Sequence, residues 1–176
     1  VQAALGDNKC MSFDISAACS GFIYALDTAW QFIKSGSCKN VLVIGVESMS
    51  RVVDWSDRST CVLFGDGAGA VILSSQENNN KKSNDDAGII ASKMYTDGSY
   101  RDLLFIEEAK SLSMEGNRVF KHAVSYLSKA VTDVIDSVDG IEESDVDWLV
   151  PHQANYRIIA AAANKLNLPM EKVVLT

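Results

Sequence analysis

Cys19 and His152 are the two residues on which chemistry could rest. Each stands directly after an apolar, strand-like run and directly before a helix-like one. Residues 11–15 give way to Ser16-Ala17-Ala18, then to Cys19, then to an apolar stretch from Ser20. Trp148-Leu149-Val150 is closed by Pro151 and followed by His152-Gln153-Ala154-Asn155. A cysteine at a helix N-terminus sits where exposed N–H groups and the helix dipole favour the thiolate, its nucleophilic form. The small residues around Cys19 leave room for a substrate. On this segment alone Cys19 reads equally as a buried cysteine, since cysteine is among the most buried residue types. His152 reads equally as a cap or as a hydrogen-bonded core histidine. A cysteine and a histidine far apart in sequence, both at strand-to-helix junctions, fit a nucleophilic pair.

The elements that must position them alternate between strand-like and helix-like, which indicates an α/β fold. Residues 1–6 read as the end of a helix capped by Gly6. Residues 10–15 read as a strand. Residues 20–34 read as a helix whose apolar residues (Phe22, Ile23, Leu26, Ala29, Trp30, Ile33) wrap most of its circumference, as in a helix buried inside a large domain. The continuous apolar run 40–46 suits a sheet covered on both faces. Phe64-Gly65-Asp66-Gly67-Ala68-Gly69-Ala70 has glycines spaced as in a phosphate loop, but it runs into a strand over 70–74 and not into a helix. A structural turn packed against another backbone fits it better. Residues 76–86 are polar and of low complexity, an exposed loop. Residues 88–95 read as a strand, Asp97-Gly98-Ser99 as a turn, and 107–113 as a weakly patterned connection. Residues 115–138 form the clearest amphipathic helix, and its polar face places His122 in solvent. A small-residue helix over 156–166 follows the His152 turn, and Asn167-Leu168-Pro169 stops it. Residues 170–176 approach another strand, and the chain ends mid-element, as a piece of a larger domain would.

Composition narrows the classes of function. With 47% hydrophobic and 22% charged residues over 176, the chain is globular and long enough to bury a core. A net charge of −7 argues against general nucleic-acid binding but leaves room for a local basic patch. No apolar run reaches the roughly 18–20 residues of a membrane span, and the first residues do not read as a signal peptide. Cys10, Cys19, Cys38 and Cys61 lack C-x-x-C spacing and are expected to be reduced, as in a cytoplasmic protein. Cys10, Cys38 and Cys61 flank apolar runs and read as core packing. Two histidines are too few and too far apart to build a metal site with these cysteines.

Three strings, Asp14-Ile15-Ser16-Ala17-Ala18-Cys19-Ser20-Gly21-Phe22, Phe64-Gly65-Asp66-Gly67-Ala68-Gly69-Ala70 and Val150-Pro151-His152-Gln153-Ala154-Asn155, occur in that order. Together they resemble β-ketoacyl-acyl carrier protein synthase III, a condensing enzyme of the thiolase superfamily. The likeness covers nearly the whole chain, including Asp57-Arg58, Asp97-Gly98-Ser99-Tyr100 and Gly116-Asn117-Arg118-Val119-Phe120-Lys121. The P-H-Q-A-N string after W-L-V is its most specific part. The resemblance implies a thiolase-like duplicated α/β/α/β/α sandwich, partly represented in this chain. Residues 1–75 would be the end of the N-terminal half with the nucleophile, 76–87 a polar linker loop, and 88–176 the beginning of the C-terminal half with the catalytic histidine.

The same resemblance implies the chemistry. Cys19 would take an acyl group from acetyl-CoA or another short acyl-CoA. Decarboxylative Claisen condensation with malonyl-acyl carrier protein would then give 3-oxoacyl-acyl carrier protein, the first step of type II fatty acid synthesis. His152, with a third catalytic asparagine expected beyond Thr176, would stabilise the enolate by hydrogen bonds aimed at developing negative charge. Arg58 would stack on the CoA adenine. Gly116, Phe120 and Asn155 would line the pantetheine tunnel, with Asn117 in the same turn. Lys121 and Arg157 would meet the acidic carrier protein, since steering needs only a local patch. Lys121 reads equally as a solvated residue of its helix, and Trp55 as loop packing. A homodimer, no cofactor, no metal, a cytoplasmic location and no nucleic-acid or membrane partner complete the expectation. The alternatives are a relative with the same Cys-His core, such as a hydroxymethylglutaryl-CoA synthase or a type III polyketide synthase, and an inactive truncated chain. The P-H-Q-A-N string speaks against both relatives.

Overall fold

A computed structural model describes residues 1–6, 9–75, 88–106 and 111–176. The polar loop 76–86 and residues 107–110 of the weakly patterned connection lie outside the described residues. The chain divides into two compact units, Val1–Gly45 with Ala70–Glu77, and Val46–Gly69 with Asn78–Thr176.

In the first unit a 3-10 turn, Ala3–Leu5, ends at Gly6, whose φ of 78° and N–H bond to the Ala3 carbonyl make it the cap that the sequence predicts. A second 3-10 turn, Ala18–Ser20, runs straight into helix α1, Gly21–Lys34. Residues 10–15 join no ladder, contrary to the strand expectation. A strand needs a partner strand for its N–H and C=O groups, and among the described residues no strand lies against this segment in a ladder. Its Phe13 instead meets Phe32 of α1 edge-on, with ring centroids 6.2 Å apart. Strand β1, Asn40–Ser48, forms where the apolar run predicts it. A Cβ on Gly45 would stand 3.3 Å from Cδ2 of Phe22, so glycine here lets the start of α1 lie close against β1. Of α1 only Ala29 is buried and of β1 only Val43. Among the described residues the helix is therefore not enclosed all round, nor the sheet covered on both faces: Ile23 is 50% exposed. An apolar pattern records that a face needs a cover, not which segment supplies it.

Strand β2, Asp66–Ser74, pairs with β1, and the Ser75 N–H donates to the Lys39 carbonyl at 2.8 Å. The strand begins at Asp66, so Gly67 and Gly69 lie inside it and not in a turn. A Cβ at Gly65, Gly67 or Gly69 would meet nothing within 4 Å, which removes the expected packing against another backbone among the described residues.

The second unit holds an antiparallel hairpin of β3, Leu104–Ile106, and β4, Leu112–Met114, with Leu104 opposite Met114 and Ile106 opposite Leu112. Neither strand was expected, whereas residues 88–95 form no strand. Tyr95 of that segment is instead held to helix α2, Gly116–Ile135, by its hydroxyl, which donates to Asp133 at 2.7 Å, and Asp133 also pairs with Lys129. The turn at Asp97 is a 3-10 segment, Gly98–Leu103, capped by the Asp97 carboxylate accepting from the Ser99 N–H.

Helix α3, Tyr156–Lys165, packs on α2. It ends as its punctuation predicts. Asn167 takes a left-handed φ of 51°, its N–H donates to the Asn164 carbonyl, and the Leu168 N–H reaches back to the Ala163 carbonyl at 2.9 Å. The buried core of this unit is built on Ile159, Ala163 and Val173, with Leu149, Leu168 and Met170 against it. Leu149 and Val173 meet in a parallel bridge, the observed form of the two strands expected near the C-terminus.

Expectations for five single residues are corrected here. His122 is half-buried, with its ring 4.0 Å from that of Tyr100 and 6.1 Å from that of Tyr126. A helical wheel places it on the polar face, but its aromatic cover comes partly from the distant 98–103 turn. Trp55 is 67% exposed and so is not packed into a loop among the described residues. Cys10 is exposed, and Cys38 and Cys61 only half-buried, so none of the three is buried in a core among the described residues.

Candidate functional site

Cys19 is exposed and occupies the middle of the 3-10 turn that feeds α1. The turn is entered through Ala18 at φ 46°, a left-handed conformation that costs a residue with a Cβ of order 1–3 kcal/mol. The Gly21 N–H closes the turn on the Ala18 carbonyl. The strained residue reverses the chain so that Cys19 emerges at the positive end of a 14-residue helix. Cys19 belongs to the first unit; Arg58, Gly116, Asn117, Phe120, Lys121, His152, Asn155 and Arg157 belong to the second.

Arg58 is exposed and stands on a tightly built turn. The Asp57 carboxylate before it accepts from the Ser59 N–H at 2.9 Å, the Ser59 hydroxyl at 2.6 Å and the Thr60 hydroxyl at 2.7 Å. These donors, the Ser59 hydroxyl foremost and then that of Thr60, hold the Asp57 carboxyl below the usual carboxylate range. Thr60 is buried and anchors the turn. A second carboxylate, Asp66, grips the preceding turn, Met49–Arg51, by accepting from both the hydroxyl and the N–H of Ser50 at 2.6 and 2.7 Å. The Arg58 side chain itself makes no ion pair among the described residues, so a guanidinium on a fixed backbone is left to solvent.

Gly116 and Asn117 open α2 and are exposed, while Phe120, one turn on, is half-buried. Arg157, in the first turn of α3, brings its guanidinium to 5.9 Å from the centre of the Phe120 ring, a cation–π contact that joins the starts of the two helices. Lys121 follows Phe120, is exposed and, like Arg157, has no acidic partner among the described residues.

His152 is exposed, directly after the buried Pro151. Asn155, three residues on, is the N-cap of α3: its backbone is extended (φ −166°, ψ 126°) and its Oδ1 accepts from the Arg157 N–H at 2.8 Å. The structure therefore brings together Phe120, Asn155 and Arg157 at the adjoining helix starts, with Lys121 next to Phe120 along α2 and His152 in the turn that leads to α3. Arg58 stands on its own turn.

Two family models match the chain, 3-oxoacyl-[acyl-carrier-protein] synthase III over residues 13–98 and the C-terminal part of the same synthase over 137–176. Over its whole length the chain is 50% identical to a β-ketoacyl-[acyl-carrier-protein] synthase III of Erythrobacter litoralis and 49% identical to that of Methylococcus capsulatus, covering 56% and 55% of them. The chain belongs to the synthase III family. The solved structure of 3-oxoacyl-[acyl-carrier-protein] synthase III from Aquifex aeolicus superposes with a TM-score of 0.90 at 50% identity, covering 99% of this chain and 54% of that one. The fold is accordingly α/β and thiolase-like, in part, and the chain spans a little over half the length of the synthases that it matches.

Within this synthase III chain, the residues that build the turns had no sequence signal pointing to a role. Asp57 and Thr60 behind Arg58, and Gln153 behind His152, act through bonds that only the folded chain makes. The nearest signals were the Asx-turn chemistry of Asp57-Arg58-Ser59 and a proline at the end of a strand. Among the described residues no helix is long and apolar enough to cross a membrane.

Proposed function

We propose that the protein carrying this chain is a condensing enzyme that initiates type II fatty acid synthesis. The Cys19 thiolate attacks the carbonyl carbon of acetyl-CoA or another short acyl-CoA. The carbon–sulfur bond to CoA breaks, and CoA leaves as its thiolate and takes a proton. Malonyl-acyl carrier protein then enters and loses CO₂, and the electron pair of the broken C–C bond becomes an enolate. His152 donates a hydrogen bond to the enolate oxygen, where charge develops. The enolate carbon attacks the acyl-Cys19 carbonyl, the cysteine leaves as thiolate, and 3-oxoacyl-acyl carrier protein is released. No electron is gained or lost overall, so the reaction calls for no redox cofactor.

In this reading Arg58 holds the CoA adenine, Gly116, Phe120 and Asn155 line the pantetheine path, and Lys121 with Arg157 receives the carrier protein. Residues 1–75 and 88–176 contribute to the two halves of a duplicated sandwich, the third catalytic residue is an asparagine beyond Thr176, and the enzyme works in the cytoplasm as a homodimer. The observation that carries the proposal is the placement of Cys19, exposed on a strained turn at a helix N-terminus, in a chain half-identical to synthase III proteins along its whole length.

The test uses the full-length protein and radiolabelled acetyl-CoA. One acetyl group should become covalently bound per active site, and Cys19→Ala should abolish both the adduct and condensation. Retention of the adduct in Cys19→Ala would remove Cys19 as the nucleophile.

A further inference from the structure

The parallel bridge beside His152 is interrupted at a definite place. The Leu149 N–H donates to the Lys172 carbonyl at 2.8 Å and the Val174 N–H to the Leu149 carbonyl at 2.9 Å, one complete rung of a parallel ladder. The next rung would be made by residue 151, its N–H to the Val174 carbonyl and its carbonyl to the Thr176 N–H. Residue 151 is proline and has no N–H to give.

The side chain of Gln153 occupies that rung. Its Nε2 donates to the Val174 carbonyl at 3.0 Å, and its Oε1 accepts from the Thr176 N–H at 3.2 Å. The same Nε2 donates to the Pro151 carbonyl at 3.0 Å. A carboxamide carries a donor and an acceptor side by side, as a peptide group does. Two carbonyls and one N–H face it, and only one orientation of the amide satisfies all three.

We infer that Gln153 is a positioning residue for His152: its carboxamide replaces the peptide group that the ladder lacks at Pro151, and so fixes the histidine turn to the 173–176 segment. The inference rests on the reading of His152 given above. A strand that continued its ladder through residue 151 would keep residue 152 in the strand. Proline releases the chain at that point, and the glutamine side chain ties the released turn down again. The turn leaves the strand yet keeps one position.

The test is made on full-length enzyme with Gln153→Ala and Gln153→Glu. Two half-reactions are read separately: acetylation of Cys19 by acetyl-CoA, and decarboxylation of a malonyl thioester. Acetylation is expected to stay within about twofold of the parent. Decarboxylation is expected to fall about 100-fold, the effect of a misplacement of about 1 Å. Gln153→Glu adds a pH signature. Ionised, the carboxylate has no donor and faces two carbonyls; protonated, it regains one donor and keeps one acceptor. Its deficit should therefore shrink from pH 8 to pH 5.5, while that of Gln153→Ala stays constant relative to the parent. Equal losses in both half-reactions, or unchanged decarboxylation in both variants, would overturn the inference while leaving the proposed function standing. A parent enzyme that is acetylated but does not decarboxylate malonyl thioesters would overturn the role of His152 and this inference with it.

Discussion

Asn155 caps a helix and, in the proposed function, also meets substrate, and a pair of substitutions can separate the two. Its Oδ1 caps α3 through the Arg157 N–H at 2.8 Å, and its backbone carbonyl receives the first helical bonds, from Ile158 and Ile159 at 3.1 and 3.2 Å. Its Nδ2 has no partner among the described residues and is the atom that the proposed function gives to the pantetheine arm. Asn155→Ala removes both functions. Loss of an Asn cap costs about 1 kcal/mol, which lowers Tm by about 2–4 °C in a domain of 150–250 residues and by less in a longer chain. Loss of one neutral hydrogen bond to substrate, about 0.5–1.5 kcal/mol, raises KM by roughly 2- to 12-fold. Asn155→Asp keeps the acceptor oxygen and adds a negative charge at the helix N-terminus, a contribution of about 0.3–1 kcal/mol in favour of the fold, but it has no Nδ2 donor. The full-length aspartate variant should therefore melt at or above the parent and yet share the raised KM of the alanine variant. Thermal melts and steady-state kinetics with the carrier-protein substrate decide both points. An aspartate variant that melts as low as the alanine variant would show that the side-chain oxygen is not the cap. One with the parental KM would show that Nδ2 does not face the substrate.

Two further outcomes follow from the same geometry. Asp54, Asp57, Asp66 and Asp97 are all held below the usual carboxylate range, in each case chiefly by a serine hydroxyl; a carboxylate whose folded pKa is depressed stabilises the fold above its unfolded pKa of about 3.9 and loses that contribution as pH falls through the folded value. Asp66→Ala should thus melt below the parent at pH 7, and the gap should narrow toward pH 3; a gap independent of pH would exclude the charged form as its source. Ala163 is fully buried against Ile159 and Val173, so Ala163→Leu should overpack that core and cost about 1–3 kcal/mol, against about 0.5–1.5 kcal/mol for Ile159→Val; urea midpoints that rank the two variants the other way would place a cavity beside Ala163.

The helices were legible because their signals are local. The apolar stripe of α2, the Ser35-Gly36 end of α1 and the Asn167-Leu168-Pro169 stop of α3 lie within the segments that they define, and the observed bounds differ from the expected ones by at most three residues. Strands were less legible because a strand is a relation between two segments. Residues 10–15 and 88–95 have strand-like composition but form no ladder among the described residues, whereas β3 and β4, three residues each, were too short to show a period. His122 failed as an exposed residue for the same reason: Tyr100 is remote in sequence and invisible to a helical wheel. In the candidate site, the positions of Cys19 and His152 at element ends were readable from the chain, while Thr60 behind Arg58 and the Gln153 bonds to Val174 and Thr176 arise only on folding.

Both residues proposed to do chemistry follow a local breach of backbone preference. Before Cys19 it is Ala18 at φ 46°, where glycine would be strain-free; before His152 it is Pro151, which withholds a ladder donor. The two breaches have the same geometric effect. A residue in the regular run of a strand shares its orientation with the sheet, and a residue inside a helix points its N–H along the axis into the preceding turn. A group that must reach a substrate has to leave both, and the chain departs only where the regular bond pattern is denied. Departure alone would leave the group poorly fixed, so each breach is followed at once by an anchor: a 14-residue helix that starts two residues after Cys19, and the Gln153 carboxamide together with the Asn155 cap after His152. Local rules fail where function requires it, and the surrounding bonds hold the exception in place.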